Sequence, residues 1–168
     1  MSTILAVANQ KGGVAKTTSV ASLGAALAEL GHRVLLVDLD PQACLTFSLG
    51  FDPEDLDQSV FGLLLGGDPA GAVLECEDGM ALLPATIDLA GAEAELVGRK
   101  DREQVLVGLL QRVQAVTGPF DWVLLDCPPS LGVLTVAALT AADALVIPLQ
   151  CETLAHRGVG QLLDTVHD

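Results

Sequence analysis

Short continuous apolar runs alternate along this chain with stretches in which apolar residues recur every three or four positions. Ile4-Leu5-Ala6-Val7-Ala8 is the first run, and it ends at Asn9. An unbroken apolar run of this length predicts a strand buried on both faces. Gly12 and Gly13 form a loop, after which Val20, Leu23, Leu27 and Leu30 predict a helix that stops at Gly31. Val34-Leu35-Leu36-Val37 predicts a second buried strand, running out into Asp38-Leu39-Asp40-Pro41. The stretch 44–80 is richer in Gly, Pro and acid; it predicts a short helix around Ser59 to Leu65, and a strand follows at Met80 to Leu83. Asp101 with Gln104 has the spacing of a capping box ahead of Val105, Leu106, Leu109, Leu110 and Val113, and Gly118-Pro119 ends that helix. Trp122-Val123-Leu124-Leu125 predicts another buried strand, ending in Asp126. After Cys127-Pro128-Pro129 come a helix over 131–142, a strand over Ala144 to Leu149 and a last helix opening near Thr153.

Buried strands alternating with amphipathic helices predict an α/β fold, a doubly wound, mostly parallel sheet with helices on both faces. Ligands of such sheets sit at the carboxyl edge of the strands. Here one strand exits into a glycine loop, the next into two aspartates and the Trp122 strand into a third, so all three exits deliver polar chemistry to one edge.

Composition sharpens this picture. Of 168 residues 51% are hydrophobic but only 3% aromatic, so one domain with a core of Leu, Val and Ala is expected over 1–168. The formal net charge is −14. Such a surface repels phosphate backbones, and no basic patch offsets it, so nucleic-acid binding would need residues mostly outside this chain. A polyanion such as ATP would need a dedicated pocket with a metal ion. Cys44, Cys76, Cys127 and Cys151 are separated singletons that read as reduced thiols, Cys127 as a buried structural one. His32, His156 and His167 fit no motif, and without a G-x-S-x-G pattern Ser130 is no candidate nucleophile. The N-terminus enters a strand without the basic region of a signal peptide. Leu131 to Leu149 is apolar enough to suggest a membrane span, but Asp143 inside it and Pro148 near its end predict a buried helix running into a central strand.

Gln10-Lys11-Gly12-Gly13-Val14-Ala15-Lys16-Thr17-Thr18 lies between strand and helix, where a phosphate loop belongs. Glycines let successive N–H groups turn toward phosphate, and the helix N-terminus adds a positive end. Lys16 would reach the β- and γ-phosphates and the Thr17 hydroxyl would ligate Mg²⁺. The strict G-x-x-x-x-G-K-[ST] pattern is not met, because Gln10 and Ala15 stand at its glycine positions; on the residues alone a glycine turn with a solvated lysine remains open. Asp38 and Asp40 share a side of an extended chain and could both face a nucleotide, or be solvated acids at a strand end.

The string Lys11-Gly12-Gly13-Val14-x-Lys16-Thr17-Thr18 resembles the deviant Walker A motif of the ParA/MinD class of P-loop ATPases, with Ala15 in place of a glycine. Val37-Asp38-Leu39-Asp40-Pro41-Gln42 resembles the second motif of that class, and Leu124-Leu125-Asp126-Cys127-Pro128-Pro129-Ser130 its Walker B strand and switch; the order is that of ParA/Soj-like partitioning ATPases. The resemblance implies ATP and Mg²⁺ as ligands. Residues 11–18 and Asp38 would bind the nucleotide, Thr17 and Asp126 the metal, and Asp40 would position the attacking water. Lys11, Lys16 and Asp40 would be catalytic, with Lys11 reaching across a two-fold axis to the partner's nucleotide. Pro148-Leu149-Gln150-Cys151-Glu152 matches a family segment and would act as a switch or interface contact.

The implied activity is slow, partner-stimulated ATP hydrolysis in a cytoplasmic ATP-sandwich homodimer that serves chromosome or plasmid segregation. A ParB-like centromere-binding protein and non-specific DNA would be its partners, and the ATP-bound form would associate with the nucleoid. Family members continue past the Thr153 helix, where adenine contacts and much of the DNA surface lie. Two relatives of the same fold stay open: a MinD-like positioning ATPase, disfavoured because no amphipathic membrane helix is visible, and an ATP-dependent synthase or amidase of cobyrinate or dethiobiotin type. A dimerising module that has lost hydrolysis is a third possibility.

Overall fold

The computed structural model describes residues 2–150 together with 159, 160, 162, 164 and 165. Cys151, Glu152, His156 and His167 lie outside the described residues, as does the expected helix start near Thr153.

Six strands form one sheet in the order β3-β4-β2-β5-β1-β6, where β1 is Thr3–Val7, β2 Val34–Asp38, β3 Leu74–Glu75, β4 Ala81–Leu83, β5 Trp122–Asp126 and β6 Ala144–Val146. All pairs are parallel except the short β3–β4 pair. The doubly wound α/β reading is therefore correct; among the strands the sequence pattern missed the two residues of β3, and it did not anticipate the short helices over Cys44–Ser48 and Ala92–Val97. The helices are α1 (Lys16–Glu29), α2 (Cys44–Ser48), α3 (Val60–Leu64), α4 (Ala92–Val97), α5 (Val105–Thr117) and α6 (Val133–Ala141).

Strand side chains alternate between two cores. Leu36 and Leu124 pack with Val20 of α1, Leu45 of α2 and Met80 on one face; Leu35, Val37, Val123 and Leu125 pack with Leu109 and Val113 of α5 and Leu134 of α6 on the other. Helix α1 comes very close to the sheet at Gly24, where an added Cβ would lie 2.8 Å from Leu36 Cδ2. It ends in a Schellman arrangement, with Gly31 at φ +87° and His32 N–H donating to Leu27 O at 3.1 Å.

Three local expectations are corrected. Leu30 is not on the buried face of α1: it is the C-cap and 75% exposed, because the helix has already ended. Asp101 forms no capping box; its carboxylate lies 3.7 Å from Arg99 Nε, and a 3-10 turn over Arg102–Gln104 precedes α5. The strand expected over 144–149 ends at Val146, and it is an edge strand, paired among the described residues with β1 alone. Asp143 fastens it there, since its carboxylate accepts from Ile4 N–H and its own N–H donates to Ile4 O, both at 2.8 Å. Among the described residues no helix is long and apolar enough to cross a membrane.

Candidate functional site

Because β2, β5 and β1 are parallel neighbours, their exits converge. Val7 is in register with Asp126, and Asp126 with Asp38. This brings two carboxylates to adjacent strands, about 5 Å apart at the backbone, beside the loop that leaves β1.

That loop has positive φ at Gly13 (+74°) and Ala15 (+64°), but not at Gly12 or Val14. Alternation of this kind turns successive N–H groups toward one concavity. No N–H from Gly12 to Thr18 meets an acceptor within the described residues, and the first helical bond runs from Ser19 N–H to Ala15 O at 2.9 Å. Ala15 carries a Cβ in the left-handed region, a conformation that costs about 1–2 kcal/mol for an L-residue. The residue is exposed. Gly12, Gly13 and Thr18 are exposed, whereas Val14 is buried and anchors the loop from below.

Lys16 is 8% exposed, an unusual burial for an amine. Thr17 Oγ1 donates to Asp126 Oδ2 at 2.7 Å. The other oxygen, Asp126 Oδ1, is buried without a hydrogen-bond partner. Burial pushes the Asp126 carboxyl up to about 7, against the opposing Thr17 hydrogen bond; the nearby Asp38 adds to the rise and Lys16 counters it.

Asp38 is wholly buried and engaged inside the chain. Its Oδ2 accepts from Thr46 N–H at 2.9 Å and from Thr46 Oγ1 at 2.8 Å, while Oδ1 accepts from Asp40 N–H at 3.1 Å. Burial pushes its pKa up to about 6 even so. The Thr46 hydroxyl in turn accepts from Ala85 N–H at 3.0 Å, tying β2, α2 and the exit of β4 together. Asp40 is half-buried, and its Oδ1 accepts from Gln42 N–H at 2.9 Å, closing the turn that carries it. Asp38 thus braces the Asp40 turn, while Asp40 stands at the edge.

Lys11 lies at the outer rim, where its Nζ donates to Gln150 Oε1 at 3.1 Å and its N–H donates to Asn9 Oδ1 at 3.0 Å. Asn9 and Thr46 are site residues that sequence reasoning missed. Asn9, 6% exposed, is a polar residue ending an apolar strand, a signal that was legible; Thr46 sits in a short helix with no signal of its own. Cys127 is wholly buried with its thiol pushed upward by desolvation, which suits a structural role. Cys44, Cys76 and Cys127 are free. Among the described residues no group of His, Cys, Asp and Glu forms a ready metal cluster.

A glycine loop between a buried strand and a helix, flanked by acidic exits of neighbouring parallel strands, defines the P-loop NTPase fold. Comparison with known proteins narrows the class. The family described as AAA domain matches residues 2–168, and the chain belongs to it as a ParA/Soj-like member. The sporulation initiation inhibitor protein Soj of Bacillus subtilis is 48% identical over 168 residues, covering 99% of this chain and 65% of that protein. The chromosome partitioning protein ParA of Caulobacter vibrioides is 46% identical over 165 residues, covering 97% and 61%. This chain therefore spans less than two thirds of either relative. A solved Mycobacterium smegmatis structure, described as cobyrinic acid a,c-diamide synthase with bound ADP and magnesium, superposes with a TM-score of 0.94 at 63% identity, over 100% of this chain and 68% of that one.

Proposed function

We propose that residues 1–168 are a single P-loop domain of a MgATP-dependent, dimerising ATPase that acts in DNA segregation. The observation that carries this reading is the buried Asp126 carboxylate, with one oxygen on the Thr17 hydroxyl and the other unpartnered, at the mouth of a loop whose N–H groups from Gly12 to Thr18 meet no acceptor among the described residues. An orphaned buried oxygen beside a hydroxyl is a donor set that fits Mg²⁺. A magnesium ion held by Thr17 and Asp126 would neutralise charge on the transferring phosphoryl group. The N–H groups of residues 12–18 and the Lys16 ammonium would hold the phosphates. Asp40, of which one oxygen closes its turn and the other takes no hydrogen bond among the described residues, would orient the attacking water, and Asp38 would act on the nucleotide through Asp40.

Lys11 would complete a second subunit's site, so that two nucleotides form part of a homodimer interface. The likeness to Soj and ParA supports segregation as the process, with a ParB-like protein stimulating slow hydrolysis. The charge of −14 supports a reading in which any DNA contact is made mostly by residues outside this chain.

Sedimentation with a slowly hydrolysed ATP analogue, with and without DNA, tests the reading, together with phosphate release and amide formation from cobyrinic acid. Nucleotide-dependent dimers with slow phosphate release support it. Amide formation at the expense of ATP would move the chain to the activity for which its Mycobacterium smegmatis neighbour is described.

A further inference from the structure

Gln150 leaves the exit of β6 and reaches back to the loop over a sequence separation of 137 residues. Its Nε2 donates to Gly13 O at 3.1 Å, and its Oε1 accepts from Lys11 Nζ at 3.1 Å. The two partners fix which end of the amide is which, since an ammonium offers only donors and a carbonyl only an acceptor. A second side-chain amide runs the other way: Asn9 Nδ2 donates to Pro148 O at 2.7 Å while Asn9 Oδ1 holds Lys11 N–H. The loop and the 148–150 segment are thus joined by two crossed amides.

We propose that Gln150 is a positioning residue for the phosphate loop, holding the Gly13 peptide and the Lys11 ammonium at fixed places with the two ends of one amide. Gly13 is where the loop needs the restraint, because a glycine at φ +74° has many other conformations open to it. The peptide bond is planar and trans, so C=O and the following N–H point in opposite directions. Tying Gly13 O to Gln150 therefore aims Val14 N–H away from Gln150 and fixes one member of the N–H array. The other end of the amide keeps Lys11 at the rim, where it can be handed to a second subunit. A carboxylate could hold Lys11 but not donate to Gly13 O; an amine could do the reverse. An amide serves both at once, with its oxygen and its nitrogen at separate ends.

The inference rests on the phosphate-loop reading, and its test separates the two. Gln150→Ala and Gln150→Glu are compared with wild type in three measurements: melting without nucleotide, MgADP affinity by calorimetry, and backbone ¹⁵N order parameters over residues 12–15 in the nucleotide-free protein. Both substitutions lie on the surface and leave melting unchanged. Gln150→Ala is expected to weaken MgADP about three- to tenfold, the scale of one net hydrogen bond, and to lower the Val14 order parameter from the rigid value of about 0.85 toward 0.6. Gln150→Glu loses at least as much, because its carboxylate faces Gly13 O and the phosphates. The same loss in a Lys11→Ala background assigns it to the Gly13 arm. Unchanged order parameters in both variants would overturn the proposal, as would loosened loops that bind MgADP as well as wild type. A wild-type chain that binds no MgADP sinks the phosphate-loop reading instead, and the order parameters then decide alone whether Gln150 holds the loop.

Discussion

The two ends of the sheet are built on opposite terms. At the N-terminal end of the strands, Arg33 closes the structure with matched groups: its N–H donates to Asp121 Oδ2 at 2.8 Å, and its carbonyl accepts from Asp121 N–H at 2.8 Å. Its guanidinium donates to Pro119 O and Thr117 O and lies 5.0 Å from the centre of the Phe120 ring. At the C-terminal end, two buried carboxylates with raised pKa values, a buried lysine, a left-handed alanine and a row of N–H groups that meet no acceptor among the described residues stand together. The buried carboxylates, the buried amine and the left-handed alanine are each unfavourable by themselves in an apo chain. One end is satisfied by its own residues; the other is arranged for charge and hydrogen bonds brought by a ligand.

The sharpest way to break that contrast is to remove the buried amine. Lys16→Ala is expected to weaken MgATP by about 100-fold or more, since the N–H array cannot offset the phosphate charge in a chain of net charge −14. Calorimetry decides it, and wild-type affinity in the variant would remove the phosphate assignment. Next in size, Asp40→Ala should slow single-turnover phosphate release about 100-fold while MgATP binding survives. Wild-type turnover would shift the water-positioning role away from this turn.

How far the sequence carried is clearest at this edge. The strands, α1 and the exits at Asn9, Asp38 and Asp126 were legible because burial on two faces leaves unbroken apolar runs and polar exits break them. The contacts that fix the site were not. Asn9 to Pro148 and Gln150 to Gly13 join residues more than 130 positions apart, and a single long-range hydrogen bond leaves no periodicity. Likewise, Asp101 has the spacing of a capping box, but a nearby arginine competes for its carboxylate. The position of β6 at the sheet edge was hidden for another reason: Ala144-Leu145-Val146 is as apolar as a central strand although Val146 is 38% exposed.

Titration separates the two ends by a few kcal/mol at most. Asp126 and Asp38 have folded pKa values of about 7 and 6 against an ordinary 3.8, so the native state holds protons that the unfolded chain has released. Stability is therefore fully present below about pH 4 as far as these two groups decide it, and it declines as pH rises toward 7. The apo protein should lose on the order of 4 kcal/mol between pH 5 and 8, the larger part from Asp126. Asp126→Asn should leave only the shallower part due to Asp38, ending near pH 6. Saturating Mg²⁺ and ADP should flatten the profile, and chelation should restore it. Chemical denaturation across pH checks this, and a slope that Asp126→Asn leaves untouched would place the frustration elsewhere. At the satisfied end, Arg33→Ala should lower stability by about 1–2 kcal/mol without changing nucleotide affinity, and a change in affinity would show that the ends are coupled.

The smallest effect concerns Ala15, and it tests whether the strain at the loop belongs to the ligand site or is merely tolerated there. At φ +64° the methyl group opposes the backbone, and a glycine would relieve that opposition. Glycine also widens the unfolded ensemble, which offsets part of the gain. Ala15 is exposed, so its methyl group fills no core position whose loss would cost packing. Ala15→Gly should therefore stabilise the apo chain by about 0.5–1 kcal/mol, read as an upward shift of the denaturation midpoint with unchanged slope. MgADP affinity should move by less than about threefold, because the N–H groups from Gly12 to Thr18 keep their directions in either residue's left-handed conformation. A substantial fall in stability would mean that Ala15 is held by packing rather than strained. A large gain in affinity would mean that the alanine backbone had been keeping the N–H array from closing on phosphate.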